Sequence, residues 1–271
     1  MGRIFLTLAA GLLLAACRED APIPVPEETP ALDESAPIPL EVEEVAVVGA
    51  RAVTEETDDF LFDYSYPAEA GDIPELAKIL GERLDLDRAD IATQAAEARQ
   101  MAREDGFPFN KFSSGTKWKL VADTPGYLSL SADMTLYSGG AHGIYGYDSL
   151  IWDKAEKQPL VPEDFFASVD DLDLVLAESF CDLLNKERAL RRGEPVDPES
   201  GDMYDQCVPL SDTTLLLGST SGNEFDRIGV QIGPYVAGSY AEGSFEFTFP
   251  VTDAVIGKVK EEYRPAFASR N

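Results

Sequence analysis

The chain has 271 residues, with 50 aspartates and glutamates against 22 lysines and arginines, a formal charge of −28. A protein this acidic excludes nucleic acid as a direct partner, because phosphate binding needs a basic face. The 44% hydrophobic content suffices for a packed core, while one histidine and three cysteines are too few ligands for a multi-histidine zinc site.

Met1 to Cys17 reads as a targeting segment. Arg3 supplies the positive start, and Ile4 to Leu14 is an uncharged, mostly apolar run of 11 residues. A membrane span needs about 20 apolar residues, so this run has the length of a signal-peptide core instead. It ends in Leu14-Ala15-Ala16-Cys17, the pattern of a bacterial lipobox. The expectation is cleavage after residue 16 and lipidation of the Cys17 thiol. The alternative is an ordinary secretory signal with a chance cysteine. Two or three acyl chains anchor stably where one is marginal. Residue 18 is arginine, not the aspartate that retains many lipoproteins at the inner membrane. The expected address is therefore an outer-membrane lipoprotein facing the periplasm, with inner-membrane retention left open.

Residues 17–58 read as an acidic, proline-rich, disordered tether. Six of the 18 prolines lie between residues 17 and 40, and Ala21-Pro22-Ile23-Pro24 recurs as Ala36-Pro37-Ile38-Pro39. From Arg18 to Asp59 there are 13 acids and two arginines. Fixed φ angles and like-charge repulsion favour an extended chain, on the order of 35 Å as a flexible coil.

The remaining head, Phe60 to Asn271, holds 37 acids and 19 lysines and arginines, a net of −18. Phe60, Phe62, Tyr64 and Tyr66 alternate with other residues, which predicts a strand. Leu76, Ile79, Leu80 and Leu84 open a helical pattern that runs from Ile73 to about Asp105. Strands are predicted at 118–121, 127–137 and 144–152, with Leu128, Leu130, Ala132, Met134 and Leu136 on one face. A second helix is predicted over 169–191, where Leu172, Val175, Leu176, Leu183 and Leu184 share a side. Strands at 213–217, 227–232 and 245–249 follow, then a last helix from Val251 to about Tyr263. This order predicts an α+β fold of two small subdomains, each an antiparallel sheet with packed helices.

Cys181 and Cys207 flank a proline- and glycine-containing excursion. In an oxidising periplasm they are expected to form a disulfide; two free thiols are the alternative. Neither has a histidine nearby in the sequence, which argues against a catalytic cysteine. Asp197, Glu199, Asp202 and Asp205 cluster before Cys207. Their spacing departs from an EF-hand loop, so a solvated acidic loop is favoured over a calcium site.

Two stretches carry a family resemblance. The first is Tyr137-Ser138-Gly139-Gly140-Ala141-His142-Gly143, followed by Pro159-Leu160 and Asp164-Phe165-Phe166. The second runs from Ile232-Gly233-Pro234-Tyr235 through Gly238-Ser239-Tyr240 to Gly243. Together they resemble the paired domains of unknown function in the extracytoplasmic part of RsiV-type lysozyme-sensing anti-sigma factors. They are also similar to the non-catalytic half of PdaC-type peptidoglycan deacetylases. The resemblance implies a first domain over 59–147 and a second over 148–271. It also implies a secreted or membrane-tethered binding module whose head recognises c-type lysozyme. The acidic field suits such a cationic partner. No sigma-binding region and no deacetylase domain accompany the resemblance.

Gly139, Gly140 and Gly143 imply positive φ or close backbone approach on both sides of His142. His142 is read either as a residue that locks the turn or as a binding or proton-transfer group. Gly139, Gly140, Ala141, His142, Gly143 and Tyr235 are the candidate binding residues. No catalytic residue, metal or cofactor is expected. A Ser-His-acid triad lacks its Gly-x-Ser-x-Gly elbow, and with 50 acids any carboxylate pair is uninformative. The expected function is a non-catalytic, lipid-anchored periplasmic protein that binds lysozyme or another cationic cell-wall enzyme. The alternatives are a peptidoglycan-binding or peptidoglycan-modifying accessory protein and a structural envelope lipoprotein.

Overall fold

The computed structural model describes residues 41–47 and 49–270, with side chains from residue 49 onward. The signal segment, Cys17 and the proline-rich run lie outside the described residues. Two short strands open the fold, β1 (Glu41–Val47) and β2 (Ala50–Glu56), and they pair antiparallel. Both fall in the stretch read as tether, so that expectation is corrected from residue 41 onward. The reason is tertiary: β2 lies along β3 (Phe60–Tyr66) and buries Val53. Net acidity does not prevent a strand whose neighbour supplies the ladder and the apolar cover.

In β3, Phe60, Phe62, Tyr64 and Tyr66 are all buried on one face, as their alternation predicts. A short helix α1 (Ala68–Gly71) leads into the long helix α2 (Pro74–Asp105). Proline at the first helical position and Gly106 at φ +75° punctuate α2 at its two ends. Leu76, Leu80, Leu84, Ile91 and Ala95 form its buried stripe. The helix carries the chain back across the sheet, so β4 (Phe112–Asp123) lies parallel to β3. The expectation of purely antiparallel sheets is corrected at this pair, since a parallel neighbour needs a long crossover and α2 provides it. Then β5 (Tyr127–Tyr137), β6 (Ile144–Asp153) and β7 (Gln158–Leu160) follow antiparallel, which completes a sheet in the order β1-β2-β3-β4-β5-β6-β7.

The second half contains α3 (Val169–Arg192) and a smaller sheet of β8 (Thr214–Gly218), β9 (Arg227–Ile232) and β10 (Phe245–Pro250) in the order β10-β9-β8. The Ser168 hydroxyl accepts from the Asp171 N–H to cap α3, whose last turn carries Arg191 and Arg192. Phe180 of α3 packs edge-on against Phe247 and Phe249 of β10. The predicted last helix is corrected. Only α4 (Asp253–Ile256) forms, followed by a 3-10 turn at Glu261–Ala266. Between them the Lys258 carbonyl accepts from Ala167 and the Lys260 N–H donates to Phe165. Pairing with the Phe165-Phe166 segment, where Phe166 and Val259 form a bridge, outweighs local helix preference.

Two sheets and two apolar cores give the expected α+β class. One core joins α2 to β3–β6 through Leu84, Trp118, Leu130 and Trp152; the other joins α3, the small sheet and Phe165. Strand β6 serves both, because Leu150 and Trp152 enter the first core and Ile151 the second. It runs unbroken across residues 147 and 148, where the sequence reading placed a domain boundary. β8 in turn packs against β4, β5 and β6.

Candidate functional site

The turn between β5 and β6 holds five of the six candidate binding residues. Gly139 has φ +85°, and its carbonyl accepts from the Asn110 side chain at 3.2 Å. At Gly143 a Cβ would come within 3.1 Å of the Leu136 carbonyl, so close approach favours glycine there. Gly140 has neither property. A Cβ on it would meet nothing nearer than 3.9 Å, which corrects the sequence reading at that position. Ala141 and His142 are exposed.

The sixth candidate, Tyr235, comes from the β9–β10 connection and meets His142. Its hydroxyl lies 3.2 Å from His142 Nε2, while His142 Nδ1 lies 2.8 Å from the Gly143 carbonyl. That carbonyl can only accept, so Nδ1 carries a proton, and in the neutral ring Nε2 accepts from the tyrosine hydroxyl. The imidazole stacks on Tyr240 at 3.9 Å between centroids, and Tyr240 in turn meets the ring of Tyr145 edge-on at 6.0 Å. Tyr235 is 48% exposed and holds φ at +68°, a left-handed conformation that costs a non-glycine residue about 1–2 kcal/mol. The result is an aromatic patch built from both halves of the fold, exposed at His142 and Tyr235 and half-buried at Tyr145 and Tyr240.

Arginines of α3 hold the loop that carries Tyr235 and Tyr240. The Arg188 Nε donates to the Ala237 carbonyl at 2.8 Å, and one Arg191 nitrogen donates to the carbonyls of Glu242 and Ser244, each at 2.6 Å. Arg192 bridges Glu242 at 2.7 Å and Asp205 at 2.5 Å. Burial favours the neutral form of Glu242, but bonds from Arg192 and Ser239 outweigh it and hold the carboxyl below its ordinary range. Asp205 is depressed as well, chiefly by the Ser200 hydroxyl and then by Arg192. Cys181 and Cys207 form the expected disulfide, with Cα atoms 5.4 Å apart. In the loop before it, Asp197 and Asp202 accept from the backbone N–H groups of Glu199 and Tyr204. Among the described residues no group of three or more histidine, cysteine or acidic side chains is placed to hold a metal.

A cleft of about 340 Å³ opens on the α2 side of the large sheet, between the middle of α2 and the ends of β4, β5 and β6. Ile91, Met134, Leu136 and Ile144 supply apolar walls, and Asp87 and Asp90 line the helix side. Gly146, the third residue of β6, has nothing within 4 Å of where its Cβ would be, so the missing side chain is part of the open space. Burial, and then the neighbouring Asp90, push the Asp87 carboxyl above its ordinary range; Arg83 and a Thr116 hydrogen bond partly offset this. Tyr145 belongs to both features: it lines the cleft and touches Tyr240.

Sequence reasoning missed Tyr145, Tyr240 and the cleft. One signal was present. Asp87 falls three residues after Leu84 and four before Ile91, where the buried stripe calls for an apolar side chain.

Comparison with known proteins follows the same outline. Residues 53–145, from β2 to the start of β6, match the family model described as Deacetylase PdaC. The stretch includes His142 and excludes Tyr235. The crystal structure of a DUF3298 family protein from Pseudomonas aeruginosa is 19% identical, covering 86% of this chain and 99% of its own, with a TM-score of 0.50. Another DUF3298 family structure, from Bacteroides fragilis, is 16% identical over 83% of this chain and 95% of its own, with a TM-score of 0.47. No curated protein matches the chain. Residues 53–145 are thus similar in sequence to the PdaC family, and the fold is similar to that of the Pseudomonas DUF3298 protein.

Proposed function

We propose that this chain is an envelope lipoprotein, anchored through Cys17, whose head is a non-catalytic module that docks a basic protein such as c-type lysozyme. The observation that carries the reading is the aromatic patch of exposed His142 and Tyr235 over half-buried Tyr240 and Tyr145, in a head of net charge −18. Aromatic side chains dominate protein interfaces because they bury large areas at small entropic cost. The acidic field speeds encounter with a cation and disfavours acidic competitors. The arginine-held loop presents the rings in a fixed arrangement, which lowers the ordering cost of binding.

Calorimetric titration of a soluble form without residues 1–17 against c-type lysozyme tests the docking claim. Saturable binding at micromolar concentration that persists at about 0.15 M salt is expected, where the screening length is about 8 Å. No heat in low salt removes the partner, and binding abolished by modest salt reduces it to bland charge attraction. Labelled palmitate entering the wild type but not Cys17→Ser tests the anchor.

A second reading has one specific support. The exposed Tyr235 ring lies only 27° from the plane of His142, a flat surface of the kind on which a sugar ring stacks. It predicts that purified sacculi pull down the protein and that Tyr235→Ala abolishes this.

A further inference from the structure

We infer that the cleft between α2 and β4–β6 is an anchor pocket for a lysine side chain of the basic partner. The inference rests on the docking function proposed above and names the contact that would give it specificity.

Three features select this occupant. The first is shape. A cavity of about 340 Å³ with a glycine near the start of β6 admits a slender chain, and Gly146 leaves the floor open where any other residue would fill it. The second is polarity along the cleft. Met134 and Ile144 are 40% and 52% exposed, so apolar wall is left in water, and a four-carbon stem would cover it. The third is charge. Asp87 and Asp90 stand on the helix wall, and among the described residues neither forms an ion pair within 4 Å with a lysine or arginine. Arg83, one turn before Asp87 on α2, is turned to Asp148 at 3.1 Å, and Arg88 to Asp85 at 3.0 Å. An ammonium group would pair with both carboxylates and oppose the burial, and then the Asp90 repulsion, that raise Asp87. An acidic or purely apolar group would leave them destabilised. Tyr145 lies between the two features: its backbone borders the cleft on the α2 face of β6, while its ring leaves the other face to meet Tyr240.

The test uses the full chain in detergent and two probes. The first is Nα-acetyl-lysine methylamide, followed by methyl NMR at Ile91, Met134 and Ile144, with the norleucine analogue as the uncharged match. Saturable shifts at these methyls with the lysine probe alone are expected. No shift, or equal shifts from both probes, overturns the pocket whatever lysozyme does. The second probe is c-type lysozyme, titrated into wild type, Gly146→Val, and Asp87→Asn with Asp90→Asn. Gly146→Val leaves the net charge unchanged and should weaken binding about tenfold or more. The double variant should weaken it similarly, and a control with Glu178→Gln and Asp182→Asn, exposed on α3, should not. Lysozyme that binds wild type and Gly146→Val equally overturns the pocket but leaves docking intact. Lysine-probe shifts without lysozyme binding leave the pocket intact and remove lysozyme as the partner.

Discussion

The Tyr235 hydroxyl donates to His142 Nε2 across 3.2 Å, joining residues that stand 93 positions apart in the chain. This bond and the stacking of His142 on Tyr240 close the β5–β6 turn against the β9–β10 loop. The sole histidine thereby has a structural role whatever else it does.

Tyr235 sits at φ +68° with half its surface exposed, so its ring is held at a conformational cost. Tyr235→Gly should change stability by less than about 1 kcal/mol, because relief of the left-handed backbone offsets the lost contacts. Lysozyme binding should fall clearly in the same variant. Urea unfolding and calorimetry measured side by side check the split.

Arg188 is fully buried, and it donates to the carbonyls of Ala237 and Gln206 at 2.8 and 2.9 Å. Arg188→Met removes these donors and should cost about 1–3 kcal/mol for each acceptor left dry. Unchanged or higher stability would mean that the cost of burying the charge dominates instead.

Glu242 and Asp205 both lie below their ordinary carboxyl range in the folded state, with Arg192 as a shared partner. Depressed folded values mean that the stabilisation is present above about pH 4 and is lost as pH falls through the folded values. Arg192→Ala should therefore lower stability most at pH 7, and the gap to wild type should close towards pH 2. Denaturant midpoints across that range provide the check.

The disulfide closes the segment between Cys181 and Cys207. Replacing both cysteines by serine should cost roughly 3 kcal/mol, chiefly from the added freedom of the unfolded chain. The thermal midpoint of the double variant measures it.

A head cut to begin at residue 59 loses β2 with its buried Val53, and also the Asp58 carbonyl that accepts from Arg99 at 2.6 Å. It should be less stable than a head beginning at residue 41, on the order of 2 kcal/mol or more. Equal urea midpoints would show that β2 contributes nothing.

Period-two and period-3.6 patterns alone located β3, α2, β6 and α3 to within a residue or two, because each buries one face and that demand is written locally. The same patterns placed Met134 on a buried face, yet it is 40% exposed, because α2 turns Asp87 and Asp90 towards it rather than apolar cover. The acids of 41–56 read as tether because a strand stabilised by its neighbour needs no apolar alternation of its own. The final helix failed because Phe165 and Ala167, nearly a hundred residues earlier, capture the backbone of Lys258 and Lys260. For the site, local sequence determined that the β5–β6 turn is tight and glycine-dependent and that the head is strongly acidic. Only the tertiary structure decided that Tyr235, Tyr240 and Tyr145 surround His142 and that a cleft opens on the α2 face of the same strand. Those relationships depend on which face of β6 each half of the chain covers, a long-range choice settled by packing two cores on one strand.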